Sequence, residues 1–139
     1  MGLFIRISLA MTLFMTSGTA RAKEADCPDA SLIERTSLRD RDALIASLGR
    51  LVPETFGKNS RYVRWEAGRV LPLPLAKGRW EYNHYNMAKH FCGKPIARQS
   101  WLVHLSFKAW KDRYGPGQDN QIYAVKLKTT GWTVWFRYY

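Results

Sequence analysis

The stretch 101-WLVHLSFKAW-110 alternates along its whole length. Trp101, Val103, Leu105, Phe107 and Ala109 fall on one side, and Leu102, His104, Ser106, Lys108 and Trp110 on the other. A period of two over ten residues, rich in aromatic and β-branched side chains, is the pattern of a β-strand. Two further stretches repeat it. In residues 121–128, Tyr123, Val125 and Leu127 oppose Ala124, Lys126 and Lys128; in residues 132–138, Trp132, Val134, Phe136 and Tyr138 oppose Thr133, Trp135 and Arg137. The expected result is one apolar sheet face and one basic face with aromatics between the charges.

Hairpin parity selects the connection between the last two strands. A two-residue loop at Thr130-Gly131 sets Leu127 opposite Val134 and Val125 opposite Phe136, and a four-residue loop over 129–132 keeps the same parity. The two-residue loop is the first expectation and the four-residue loop the second, although Thr is a poor residue for the positive φ of a primed turn. Residues 112–120, with Gly115-Pro116-Gly117 and Asp119-Asn120, carry turn chemistry.

Upstream, residues 29–52 read as helix in one or two pieces. Ser31-x-x-Glu34 and Ser37-x-x-Asp40 are capping patterns, and Leu44, Ile45, Leu48, Leu51 and Val52 form a stripe at helical spacing. Pro53 is expected to end the helix. Residues 61–67 read as a strand with Val63 and Trp65 inward, interrupted at Gly68, and the two prolines of residues 70–75 suit an edge or extended segment. Residues 79–92 read as a second helix with Trp80, His84, Met87 and Phe91 on one face, stopped by Gly93 and Pro95. The expected fold class is α+β: an antiparallel sheet of three to five strands, two helices packed on one face, and one disulfide.

The N-terminus reads as an export signal. Residues 1–22 place Arg6 ahead of an apolar run and end in Ala20-Arg21-Ala22, with cleavage expected after Ala22. The run is shorter than the roughly 20 residues that span a membrane. Residues 23–139 then form a single periplasmic or secreted domain with no transmembrane anchor. Its two cysteines, Cys27 and Cys92, are expected to pair in an oxidising compartment. Neither cysteines nor histidines have metal-ligand spacing, so no metal or cofactor is expected.

Charge is uneven. Residues 23–58 hold six basic and seven acidic side chains, whereas residues 60–139 hold fourteen basic and four acidic. Such an excess points to an anionic partner. The expected binding surface is the basic sheet face, made by Lys108, Trp110, Lys126, Lys128, Trp135, Arg137 and Tyr139, where cations meet phosphate or carboxylate and rings stack. The expected partner is an anionic envelope polymer or an acidic protein, with nucleic acid a lesser candidate. An inhibitor or immunity-type protein has this character. The alternative is a small metal-independent nuclease or phosphodiesterase in which His104 acts as base and Lys126 and Arg137 stabilise the phosphorane. The expected face offers His104 no second acid or base, and the sequence contains no Gly-x-Ser-x-Gly, His-Glu-x-x-His or phosphate-binding glycine loop.

Overall fold

A computed structural model describes residues 25–78, 82–112 and 115–138. Helix α1 (Arg41–Phe56) is followed by strand β1 (Trp65–Pro72), helices α2 (Tyr82–Cys92) and α3 (Lys94–Gln99), and strands β2 (Trp101–Asp112), β3 (Gly115–Leu127) and β4 (Gly131–Tyr138). The strands form one antiparallel sheet in the order β1-β2-β3-β4. Cys27 and Cys92 are joined by a disulfide. The α+β class, the four-stranded sheet, the two longer helices and the bridge agree with the sequence reading.

The helices divide between the two faces of the sheet rather than gathering on one. Leu44, Leu48, Leu51, Val52 and Phe56 of α1 pack on Trp101, Val103, Leu105, Phe107, Ile122, Ala124 and Trp132. On the opposite face Leu73, Ala76, Ala88, Ile96 and Ala97 cover Leu102, Tyr123, Val125 and Trp135. Burying both faces explains why β2 and β3 carry apolar residues at odd and even positions alike. Each fully buried Leu in these layers contributes about 1.5–3 kcal/mol.

The β3–β4 connection departs from both expected loops. Leu127 pairs with Gly131 and Lys126 with Trp132, leaving a three-residue turn over 128–130. Gly131 follows it at φ 78°. The threonines thereby escape positive φ, and the glycine adopts it. A bulge then corrects the parity: Ala124 pairs with Val134 but Tyr123 with Phe136, so Trp135 is the extra residue. Trp135 and Phe136 both join the core beneath α2 and α3, while Trp132 and Val134 lie under α1. Tyr123 and Val125 therefore belong to the face of Leu102, not to that of Val103.

Other boundaries shift for local reasons. Residues 29–36 do not extend the helix. Asp29 caps a single 3-10 turn, Ala30–Leu32, and the chain then bridges Ile33 to Leu127. Glu34 N–H donates to the Lys126 carbonyl at 2.7 Å and Lys128 N–H to that of Leu32 at 2.8 Å. β2 begins opposite Ala124, so this segment pairs with the part of β3 that β2 does not reach. The 3-10 turn Leu38–Asp40, which runs straight into α1, carries the second capping pattern: Ser37 N–H donates to Asp40 Oδ2 at 2.8 Å, and Ser37 Oγ accepts from Arg39 N–H at 3.3 Å.

Pro53 does not end α1. The last turn continues because Phe56 is anchored against Tyr62 and Phe107, and Gly57, at φ 88°, closes it by donating to the Pro53 carbonyl. Residues 60–62 form a 3-10 turn capped by Asn59, which leaves Val63 outside the strand and 65% exposed. Pro95, expected as a stop, sits in the first turn of α3, where its missing N–H costs nothing. The sequence Gly115-Pro116-Gly117 lies in β3 rather than in a loop, with Pro116 opposite Lys111 beyond a bulge.

Candidate functional site

The seven expected binding residues do not share a face. Trp135 is buried, its Nε1–H donating to Ser100 Oγ at 3.0 Å while Ser100 Oγ donates to the Ile96 carbonyl at 2.7 Å. Arg137, beyond the bulge, lies on the α1 side. Its Nη1 donates to the Thr55 carbonyl at 3.1 Å, and the guanidinium stands 5.4 Å from the Phe56 ring centroid. Lys126 is on that side too, half-buried, 3.5 Å from Asp40 Oδ1 and 3.7 Å from Glu34 Oε2. It joins the N-terminal segment to the start of α1.

Lys108 is exposed and paired with Glu66 of β1. Lys128 sits in the β3–β4 turn and donates to the Ser31 carbonyl at 3.2 Å. Trp110 lies on β2 where the backbone alone is described, and Tyr139 lies outside the described residues. The alternative constellation is divided by the β2–β3 register, which sets His104 opposite Gln121 and so Lys126 on the other face, and by the bulge, which turns Arg137 there too. His104 faces α2, whereas Lys126 and Arg137 are held on the α1 side.

Around His104 the structure assembles a different group. His104 pairs across the sheet with Gln121, and Gln121 with Tyr138, forming one row over three strands. His84 of α2 lies above this row, its ring centroid 6.4 Å from His104 and 5.8 Å from Tyr138. Its Nδ1 is hydrogen-bonded to the Tyr123 hydroxyl at 2.5 Å. Burial, with the neighbouring Tyr138 phenol as a lesser cause, pushes the Tyr123 hydroxyl well above the ordinary tyrosine pKa. The β1 bulge next to Gly68 brings that strand close to His104: a Cβ on Gly68 would stand 3.5 Å from the His104 Cβ.

Glu66, opposite Ser106, brings a carboxylate to the His104 side, although its partner is Lys108. The sequence reading did not connect His84 or Glu66 with His104, because they come from elements 20 and 38 residues away whose packing has no local signal. Among the described residues, no group of three or more His, Cys, Asp or Glu could hold a metal ion.

Among the exposed cations that the sheet-face reading passed over are four on α2, α3 and the segment before them. Lys77, Lys89, Lys94 and Arg98 are exposed, and none forms an ion pair among the described residues. One signal was present in the sequence: residues 82–111 contain five Lys or Arg and no Asp or Glu. Comparison with protein-family models, with curated proteins and with solved structures finds no match to this chain.

Proposed function

We propose that this chain is an exported basic binding module whose partner is an anionic component of the cell envelope or an acidic protein, the character of an inhibitor or immunity-type protein. The observation that carries this reading is the placement of the basic excess. Residues 60–139 hold fourteen basic side chains against four acidic, and Lys77, Lys89, Lys94, Arg98, Lys108 and Lys128 are all at the surface. The Cys27–Cys92 bridge supports an oxidising compartment. No helix among the described residues is long and apolar enough to cross a membrane.

The test is a crosslinked pull-down from envelope extract at low and at high salt. A partner captured at low salt and lost as salt rises is the expected result, since exposed charges are screened over about 8 Å at physiological ionic strength. A partner held equally at both salt concentrations refutes recognition by charge.

A second reading is metal-independent phosphodiester cleavage at His104. The observation in its favour is His84, a second imidazole 6.4 Å away that would provide the acid or base the sequence reading lacked. It predicts cleavage of RNA or DNA by pure protein, reduced about 10²–10⁴-fold in His104→Ala with substrate binding retained. Absence of turnover in the parent protein rejects it.

A further inference from the structure

β4 is the last strand of the sheet, and α2 packs against it along a seam at the sheet edge. Two ring contacts define that seam. His84 of α2 stands 5.8 Å from Tyr138, and Phe91, two helical turns on, stands 4.9 Å from Phe136. Phe136 and Tyr138 are two residues apart on β4, beyond the bulge, and share a face. The seam is open to solvent: Tyr138 is 45% exposed and Phe91 42%.

A polar row leads inward from these rings. Tyr138 pairs across the sheet with Gln121, and Gln121 with His104, beneath the His84 ring. Gln121 Oε1 is enclosed and has no hydrogen-bond partner among the described residues. An enclosed carbonyl oxygen without a donor costs stability, and such atoms mark places where a water or a ligand supplies one. Gln121 as a whole is half-buried and its terminal torsion is soft, so the amide can turn to meet a donor entering the seam.

The chemistry of the group selects the ligand. It holds aromatic rings, a phenol, an amide and two imidazoles, but no lysine, arginine or carboxylate. A phosphate or carboxylate calls for cations at the point of contact, and a protein interface closes over an apolar core. A sugar ring brings an apolar C–H face that stacks on an exposed ring and hydroxyl donors around its rim. The site is also organised in advance. Cys92, next to Phe91, is bonded to Cys27, which ties this end of α2 to the N-terminal segment.

Resting on the reading that the partner is an anionic component of the envelope, we propose that the α2–β4 seam binds a glycan chain of that component. Tyr138 and Phe91 stack on sugar rings, Gln121 accepts from a sugar hydroxyl, and the polymer's charges meet cations elsewhere on the surface.

The experiment is calorimetric titration of the oxidised, exported protein with a neutral N-acetylglucosamine tetrasaccharide at low and high salt. Co-sedimentation with peptidoglycan sacculi and with lipopolysaccharide accompanies it. Saturable binding of the tetrasaccharide, unchanged by salt, is expected. Tyr138→Ala and Gln121→Leu should each weaken it about fivefold. Val63→Ala, exposed beside Tyr62 on the α1 side, should leave it unchanged. Capture by sacculi that falls in Tyr138→Ala assigns the glycan to the cell wall, and such capture by lipopolysaccharide alone assigns it to the outer leaflet; both support the seam. No binding to any of the three probes overturns the proposal, as does binding that Tyr138→Ala and Gln121→Leu leave unaltered. If none binds but the pull-down still gives a salt-sensitive partner, the glycan site fails and the anionic-partner reading stands. If the tetrasaccharide binds but the pull-down partner is held equally at both salt concentrations, the site stands and recognition by charge fails.

Discussion

Trp135 shows how one extra residue parts two positions of the same parity. By alternation it belongs beside Arg137; it stays under α3, where its indole N–H reaches Ser100, while the bulge carries Arg137 to the α1 side. Tyr123, its neighbour in the same core, stands with its ring centroid 5.3 Å from that of Trp135 and bonds His84. The raised pKa of its hydroxyl has a defined consequence for stability. An unfolded tyrosine ionises near pH 10, whereas the folded state resists losing the proton. The folded-state advantage is complete below pH 10 and is lost as pH rises through the folded value. Urea unfolding of the parent should weaken between pH 9 and 11.5 by more than that of Tyr123→Phe. Parallel pH profiles for the two proteins would show that Tyr123 is not the group responsible.

At the scale of elements, α1 depends on its entry. The reciprocal bonds between Ser37 and Asp40 satisfy amides that the first turn leaves open. Ser37→Ala should cost about 1 kcal/mol in urea unfolding at pH 7. The backbone N–H of Ser37, with help from Lys126, holds the Asp40 carboxyl below the usual carboxylate range. Its contribution is therefore present above that range and lost as pH falls through the lowered value. The stability gap between the parent and Asp40→Asn should close in strong acid; a gap independent of pH would assign the effect to packing. The terminal strand of the sheet is also protected. On β4, the Trp132 carbonyl accepts from Arg50 Nη2 at 2.9 Å and the Trp135 carbonyl from Asp26 N–H at 3.1 Å, contacts that oppose edge-to-edge association.

In the whole molecule, the disulfide connects the N-terminal segment to the end of α2 across 65 residues. Closing a loop of that length restricts the unfolded chain by about 4 kcal/mol. Cys27→Ser with Cys92→Ser should lower stability by about that amount in urea, with a matching fall in Tm. The parent, unreduced, should show no alkylatable thiol by mass spectrometry. Two free thiols in exported protein would remove both the bridge and its support for an oxidising compartment. The segment it anchors also places Ile33 beside β3 and Thr36 at the indole N–H of Trp101, at 2.8 Å. Loss of the bridge should therefore loosen the sheet edge near Leu127 before the centre of the core, a difference amide exchange would detect.

The sequence by itself determined the cores of β2, β3 and β4, the α1 stripe, the capping pair at Ser37 and Asp40, and the pairing of its two cysteines, but not the bounds of β1 or the start of β3. Each depends on short-range periodicity, on hydrogen bonds within four residues, or on a count. It also carried the charge asymmetry, because composition survives any fold. Only the tertiary structure decided which side chains share a face. Side chains alternate with period two, so the β2–β3 register that sets Tyr123 opposite Leu102 placed Tyr123 and Val125 in one core, and one bulged residue, Trp135, was enough to turn Arg137 toward the other. The choice between turn lengths was decided by Gly131 accepting positive φ and by both sheet faces having helices to cover them. No local pattern recorded that second cover, and so none placed His84 over His104.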